Sequence, residues 1–291
     1  QTIMKPKLAT VLAALLAASV FSTASGAPAK APLGTPQIYK KVSGRDLRVY
    51  TVLPEKWTPR DKRPAVVMFH GGGWVQGSPA SMNRHASHFA SKGMVCFLVE
   101  YRLLPRKGAD TPAMCMRDAR SAMRWVRGHA DEFGVDPARI ATCGGSAGGQ
   151  LAASTALINS PDFDEPGEAT ATSHRPDALI LFNPVIDNGP DGYGHKRTGG
   201  DYRSFSPFHN VAPGAPPAVI LCGTADKYIP VKMLRDFEAA MKTAGARCEV
   251  RLYDGQKHGF YLGDGKYQNL ARSEADAFLA SLGWLASKTP R

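Results

Sequence analysis

Ile140-Ala141-Thr142-Cys143-Gly144-Gly145-Ser146-Ala147-Gly148-Gly149 ends one kind of segment and begins another. Its first four residues read as a buried strand, and Ala147–Leu157 reads as a helix. The glycines between them permit a turn too sharp for bulkier residues, with a single serine at its apex. Such a turn lifts the serine hydroxyl above the sheet and sets a helix N-terminus behind it. A Gly-x-Ser-x-Gly pentapeptide is common by chance. Placed between a strand and a helix, it points to Ser146 as a nucleophile.

Working outward from this turn, β-rich runs recur at Leu47–Leu53, Ala65–His70, Met94–Tyr101, Ala178–Asn183, Ala218–Gly223 and Cys248–Tyr253. Several are continuously apolar, as parallel strands covered on both faces must be. Helical stretches alternate with them at Ser81–Ser91, Met114–His129, Val231–Ala244 and Ser273–Leu285. Met116, Ala119, Met123 and Val126 form a buried stripe at three- and four-residue spacing. The alternation predicts an α/β fold, a mostly parallel twisted sheet with helices on both faces. Two loops interrupt it, Asn159–Arg175 and Asn188–Ala215. The second is expected to form a rim or partial lid over the site, or else a surface excursion.

A second glycine turn, His70-Gly71-Gly72-Gly73-Trp74, follows directly on the run Ala65–Phe69. Its bare backbone N–H groups, with that of Ala147, can bind the oxyanion of a tetrahedral intermediate. A phosphate loop is the alternative, but no Walker lysine follows and the spacing fits no dinucleotide fingerprint.

A nucleophilic serine needs a base, and the base an orienting carboxylate. Of the eight histidines, His258 follows the run Cys248–Tyr253 in a loop that can return to Ser146. His70 belongs to the glycine turn; His85, His88 and His129 fall on helices, and His174, His195 and His209 in the long loops. Asp226 lies just past the strand Ala218–Cys222, at the strand end where such sheets carry chemistry. Asp187 is the second candidate, and Asp254 is too near His258 in sequence.

The wider composition is that of a globular protein, with 43% hydrophobic and 21% charged residues over 291 positions. A formal charge of +11 could favour acidic partners such as anionic polysaccharide. There is no basic run or nucleic-acid motif, so nucleic acid is not expected as a partner. Five cysteines, four of them in or beside strand-like runs, with no Cys-x-x-Cys spacing, argue against a zinc or dithiol site, and the odd number leaves at least one thiol free. No metal or organic cofactor is expected.

At the N-terminus, Lys5 and Lys7 precede an apolar run, Leu8–Phe21, and a small-residue zone, Ser22–Ala27. This is the pattern of a secretory signal, and the run is too short to span a bilayer, which needs about 20 residues. The expected organisation is a signal region over 1–26, a linker and N-terminal segment over 27–46, and one catalytic domain over 47–291. The mature protein is expected to be secreted or periplasmic, with no membrane span.

His70-Gly71-Gly72-Gly73, Gly144-Gly145-Ser146-Ala147-Gly148-Gly149, Gly223-Thr224-Ala225-Asp226 and His258-Gly259-Phe260 together resemble the hormone-sensitive-lipase-like esterases and related carbohydrate esterases. The resemblance runs from about Tyr50 to Trp284. It implies an α/β-hydrolase fold, the catalytic order Ser146, Asp226, His258, and an oxyanion hole from Gly71, Gly72 and Ala147. Three departures, Gly145 in place of an acidic residue, Lys227 in place of proline, and no N-terminal helical cap, lean toward the secreted acetyl-xylan, feruloyl or sugar-acetyl relatives. The expected activity is cleavage of short-acyl or carbohydrate-linked esters, small or polysaccharide, with Trp74 contacting the substrate. An amidase, formamidase or peptidase of the same fold, and a non-catalytic binding module, are the alternatives.

Overall fold

A computed structural model describes residues 31–106, 111–198 and 200–286. The expected signal region, 1–26, lies outside them. Eight strands form one sheet in the order β1-β2-β4-β3-β5-β6-β7-β8. The strands are β1 (Thr35–Val42), β2 (Arg45–Val52), β3 (Arg63–Phe69), β4 (Val95–Val99), β5 (Val135–Gly145), β6 (Ala178–Phe182), β7 (Ala218–Gly223) and β8 (Cys248–Tyr253). β2 runs antiparallel to both β1 and β4, and the pairs from β4 to β8 are all parallel.

The helices are α1 (Asn83–Ser91), α2 (Ala113–Gly128), α3 (Ala147–Leu157), a single turn α4 (Tyr202–Phe205), α5 (Val231–Thr243) and α6 (Lys266–Ser281). Alternation along the central strands decides which helix covers which face. In β3, Val67 and Phe69 point into a core shared with α2, α3 and α5. Val66 and Met68 point the other way, against α1 and α6. A strand with both faces covered must be apolar at every position, which is why these strands read as continuous runs. Each such side chain withdrawn from water contributes about 1.5–3 kcal/mol.

Several boundaries differ from the sequence reading. β5 begins at Val135, five residues before the expected Ile140. β1 lies inside the stretch read as linker and N-terminal segment. α6 begins at Lys266, one and a half turns or more before the expected Ser273, because Gly265 and the polar Tyr267-Gln268-Asn269 mask its start.

Both long loops are tied to the body. Asp164 pairs with Arg120 at 2.9 Å and Arg124 at 2.6 Å, and Glu165 with Lys40 and Arg102 at 2.6 Å each. The stretch 188–215 contains α4 and short 3-10 turns, and Gln150 on α3 donates to the Phe205 carbonyl at 3.2 Å. No helix among the described residues is long and apolar enough to cross a membrane.

Candidate active site

β5 ends at Gly145 and α3 begins at Ala147, so Ser146 alone makes the turn, at φ 56° and ψ −124°. A non-glycine residue held there costs of order 1–3 kcal/mol, and the surroundings must enforce it. Ser146 N–H donates to the Phe182 carbonyl at 3.1 Å, and its own carbonyl accepts from Val185 N–H at 3.1 Å. At Gly148 a Cβ would overlap the Phe69 carbonyl oxygen. Only glycine therefore lets α3 start against the end of β3, and this brings the turn Gly71–Gly73 beside the serine.

His258 returns to this turn from beyond β8. Its Nε2 lies 2.9 Å from Ser146 Oγ, and its Nδ1 lies 2.8 Å from Asp226 Oδ2. A carboxylate only accepts, so the proton sits on Nδ1 and the Nε2 lone pair faces the hydroxyl. The Asp226 side chain is fully buried just past β7, with Oδ1 accepting from Tyr228 N–H at 2.8 Å and Ile229 N–H at 3.0 Å. Burial pushes this carboxyl up, but the His258 hydrogen bond and the two backbone N–H groups outweigh it and hold it below the usual carboxylate range. A hydroxyl, a neutral imidazole and a fixed carboxylate in this chain can generate an alkoxide-like nucleophile at neutral pH.

The alternative carboxylates are engaged elsewhere. Asp187 Oδ1 accepts from Gly189 N–H at 2.7 Å and lies 3.7 Å from His209. Asp254 accepts from Thr224 Oγ1 at 3.0 Å. Asn183, which the sequence did not mark, brings its Nδ2 within 3.4 Å of His258 Nδ1.

The second glycine turn lies over the elbow. Gly72 adopts φ 123°, and a Cβ there would overlap the Gln76 carbonyl oxygen, so the tight turn requires glycine. Ala147 is the first residue of α3, so its N–H has no acceptor within the helix. His70 holds the turn from below. Tyr101 stacks on its ring at 4.3 Å and donates to its carbonyl at 2.7 Å, and burial pulls the imidazole down to about 4, keeping it neutral.

These groups open into a cleft of about 530 Å³ lined by Gly71–Gly73, Ser146, His258, Tyr193, Tyr228, Tyr261 and Arg197. Trp74 does not reach it as expected. Its side chain has no exposed surface, and it packs on Tyr193 at 5.8 Å and Phe205 at 6.5 Å. An indole following a glycine turn resembles a substrate platform in sequence, but the turn directs it into the core, and Tyr193 presents the aromatic surface instead. Tyr261 was also unmarked. Its ring stacks on Phe182 at 5.1 Å and occupies the space where a side chain at position 145 would stand. Among the described residues no cluster of His, Cys, Asp or Glu could hold a metal ion, and all five cysteines are buried and unpaired.

Comparison with known proteins agrees with this geometry. A family described as alpha/beta hydrolase fold matches residues 66–262. Esterase LipC of Mycobacterium tuberculosis is 29% identical over 71% of this chain and 55% of its own length. The acetylxylan esterase of Xylanibacter ruminicola is 29% identical over 81% of this chain and 47% of its own. The chain thus spans about half the length of the curated relatives it matches. Among solved structures, esterase 2 of Thermogutta terrifontis is 41% identical, with a TM-score of 0.84 over 90% of this chain and 100% of that one. It has also been solved with propionate and with butyrate bound, and phosphorylated by paraoxon.

Proposed function

The chain belongs to the α/β-hydrolase fold family, and we propose that it carries the catalytic domain of a carboxylic ester hydrolase that cleaves short-acyl esters, carbohydrate-linked ones among them, through an acyl-enzyme on Ser146. The observation that carries this reading is the hydrogen-bonded line Ser146–His258–Asp226 at 2.9 and 2.8 Å beneath a glycine turn.

In the proposed reaction, His258 Nε2 takes the Ser146 proton as Oγ attacks the ester carbonyl. The N–H groups of Gly71, Gly72 and Ala147 donate hydrogen bonds to the carbonyl oxygen as negative charge develops on it. Asp226 stabilises the imidazolium and keeps its proton on Nδ1. His258 then delivers the Nε2 proton to the leaving alkoxide, and the alcohol departs. Water, deprotonated by the same nitrogen, attacks the acyl-enzyme and releases the acid and Ser146.

Short acyl groups are supported by Tyr261, whose ring closes the space beside Gly145, and by propionate and butyrate bound to the Thermogutta terrifontis esterase. Carbohydrate esters are supported by the acetylxylan esterase relative and by the aromatic faces of Tyr193 and Tyr228 at the cleft. Export of the mature protein to the periplasm or medium, where polysaccharide esters are met, is part of the same proposal and rests on Lys5–Ala27.

The test compares acetate release from acetylated xylan with hydrolysis of p-nitrophenyl acetate, butyrate and octanoate. Rates should fall with acyl length, and Ser146→Ala should lose at least about 10⁴-fold. An organophosphonate should label wild type and leave Ser146→Ala unlabelled. Labelling that survives Ser146→Ala overturns the nucleophile, and activity on model esters alone removes the carbohydrate claim.

A further inference from the structure

Among the described residues, the catalytic cleft is lined by a cation and by no acid. Of the side chains lining it, Arg197 carries the only permanent charge, and none is Asp or Glu. The nearest catalytic carboxylate, Asp226, is fully buried behind His258 and committed to it. Arg197 makes no ion pair and no side-chain hydrogen bond with any described residue. Twelve other arginines, among them Arg102, Arg120 and Arg127, are paired with carboxylates.

Its backbone is held firmly. Arg197 N–H donates to the Gly194 carbonyl at 2.8 Å, and a Cβ at Gly194 would stand 2.7 Å from the Trp74 ring, so this turn is seated on the buried indole. His195 Nδ1 lies 2.9 Å from the Asn188 carbonyl, and Thr198 Oγ1 donates to the His195 carbonyl at 2.8 Å. The turn fixes where the arginine stands and leaves its guanidinium without a partner among the described residues, in the cleft that Ser146 and His258 also line. A planar guanidinium presents paired donors matched to a carboxylate, and with no acid among the described residues lining the cleft that pairing is left to a ligand.

We propose that Arg197 is a specificity residue, and that the preferred substrates are esters bearing a second, free carboxylate. This rests on the ester-hydrolase reading and narrows it. The carboxylate is carried on either the acyl side or the alcohol side of the scissile bond, and the experiment separates the two.

Wild type, Arg197→Gln and Arg197→Lys are compared on two matched pairs. Monoethyl succinate against ethyl succinamate places the charge on the acyl side. Acetoxyacetate against acetoxyacetamide places it on the alcohol side. For at least one pair, wild-type kcat/KM should favour the anion by about tenfold or more, the value of one charge-assisted contact. The preference should appear mainly in KM and weaken with added salt. Arg197→Gln should abolish it while leaving hydrolysis of the neutral partner and of p-nitrophenyl acetate within about twofold, and Arg197→Lys should keep part of it. Equal rates on charged and neutral partners, or a preference that survives Arg197→Gln, overturns the proposal. Retained activity on p-nitrophenyl acetate in that case leaves the ester-hydrolase reading standing. Loss of all ester hydrolysis and of organophosphonate labelling in wild type would instead bring down that reading itself.

Discussion

At Ser146, Asp226 and His258 the sequence was legible because each follows a strand in a fixed order and each carries a chemistry few residues can supply. Tyr261 and Arg197 were not, since their importance arises from what stands across the cleft from them. The pair Gly145 and Tyr261 illustrates this. In sequence Gly145 is a missing acidic residue, whereas in the fold it is the space that Tyr261 fills, with its phenol raised above its usual range by burial. Gly145→Asp should therefore destabilise the protein by about 1–3 kcal/mol through overpacking, or roughly 2–12 °C in Tm. Tyr261→Ala empties a buried site and is itself destabilising, by about 3–5 kcal/mol, but in that background Gly145→Asp should cost much less than it does beside the intact ring. Thermal melts of the two single variants and the double variant check it, and an unchanged Tm for Gly145→Asp alone would mean that the ring moves aside freely. Asp226→Asn tests the other end of the line. With an amide in place of the carboxylate the imidazole no longer has its tautomer fixed, and kcat should drop by about 10³–10⁴-fold, while Tm shifts far less than activity does.

Elements with both faces covered were readable as apolar runs, and β3, β4, β6 and β7 fell where those runs lie. β1 was not readable because it is an edge strand without the apolar alternation of Cys248, Val250 and Leu252 that made the other edge, β8, legible. Of Thr35–Val42 only Tyr39 is buried, and Lys40 and Lys41 interrupt any alternation. Lysines on an edge also discourage pairing with a second chain. What holds β1 is chemistry distant in sequence. Lys40 Nζ reaches Asp118 on α2 at 2.7 Å, and Arg102 grips the same carboxylate through Nε at 2.8 Å and a terminal nitrogen at 2.7 Å. The Asp118 side chain is fully buried, so Asp118→Asn would leave two cations facing a neutral amide. Losing one member of a buried ion pair costs about 3–5 kcal/mol, and with Glu165 still present the lower end is expected. Urea unfolding should show a lower midpoint with an unchanged slope. Asp131→Asn, which breaks an exposed pair with Lys62, should leave the midpoint where it was.

Across the whole molecule, the same closed packing that seats the site sets how stability responds to acid. Three histidines away from the catalytic line are held neutral by burial: His70 down to about 4, His85 down to about 3 beside the charge of Arg272, and His174 down to about 4 beside Arg120. In the unfolded chain each would take up a proton near 6.5. Above that pH all three are neutral in both states, and their contribution to stability is complete. As pH falls below 6.5 the unfolded chain binds protons the folded chain refuses, so stability is lost steadily down to the folded values of 4 and 3. Each histidine adds at most about 1.4 kcal/mol per pH unit to that slope. Urea midpoints measured between pH 7.5 and 4.5 should thus be flat above 7 and fall below 6.5. His85→Gln is the discriminating variant, because an amide can still donate to the Tyr261 carbonyl that His85 Nε2 meets at 3.2 Å, yet it cannot titrate. It should remove about one proton from the slope. A wild-type midpoint that stays level from pH 6.5 to 4.5 would overturn the predicted loss, and a slope unaltered in His85→Gln would place the acid sensitivity in other groups.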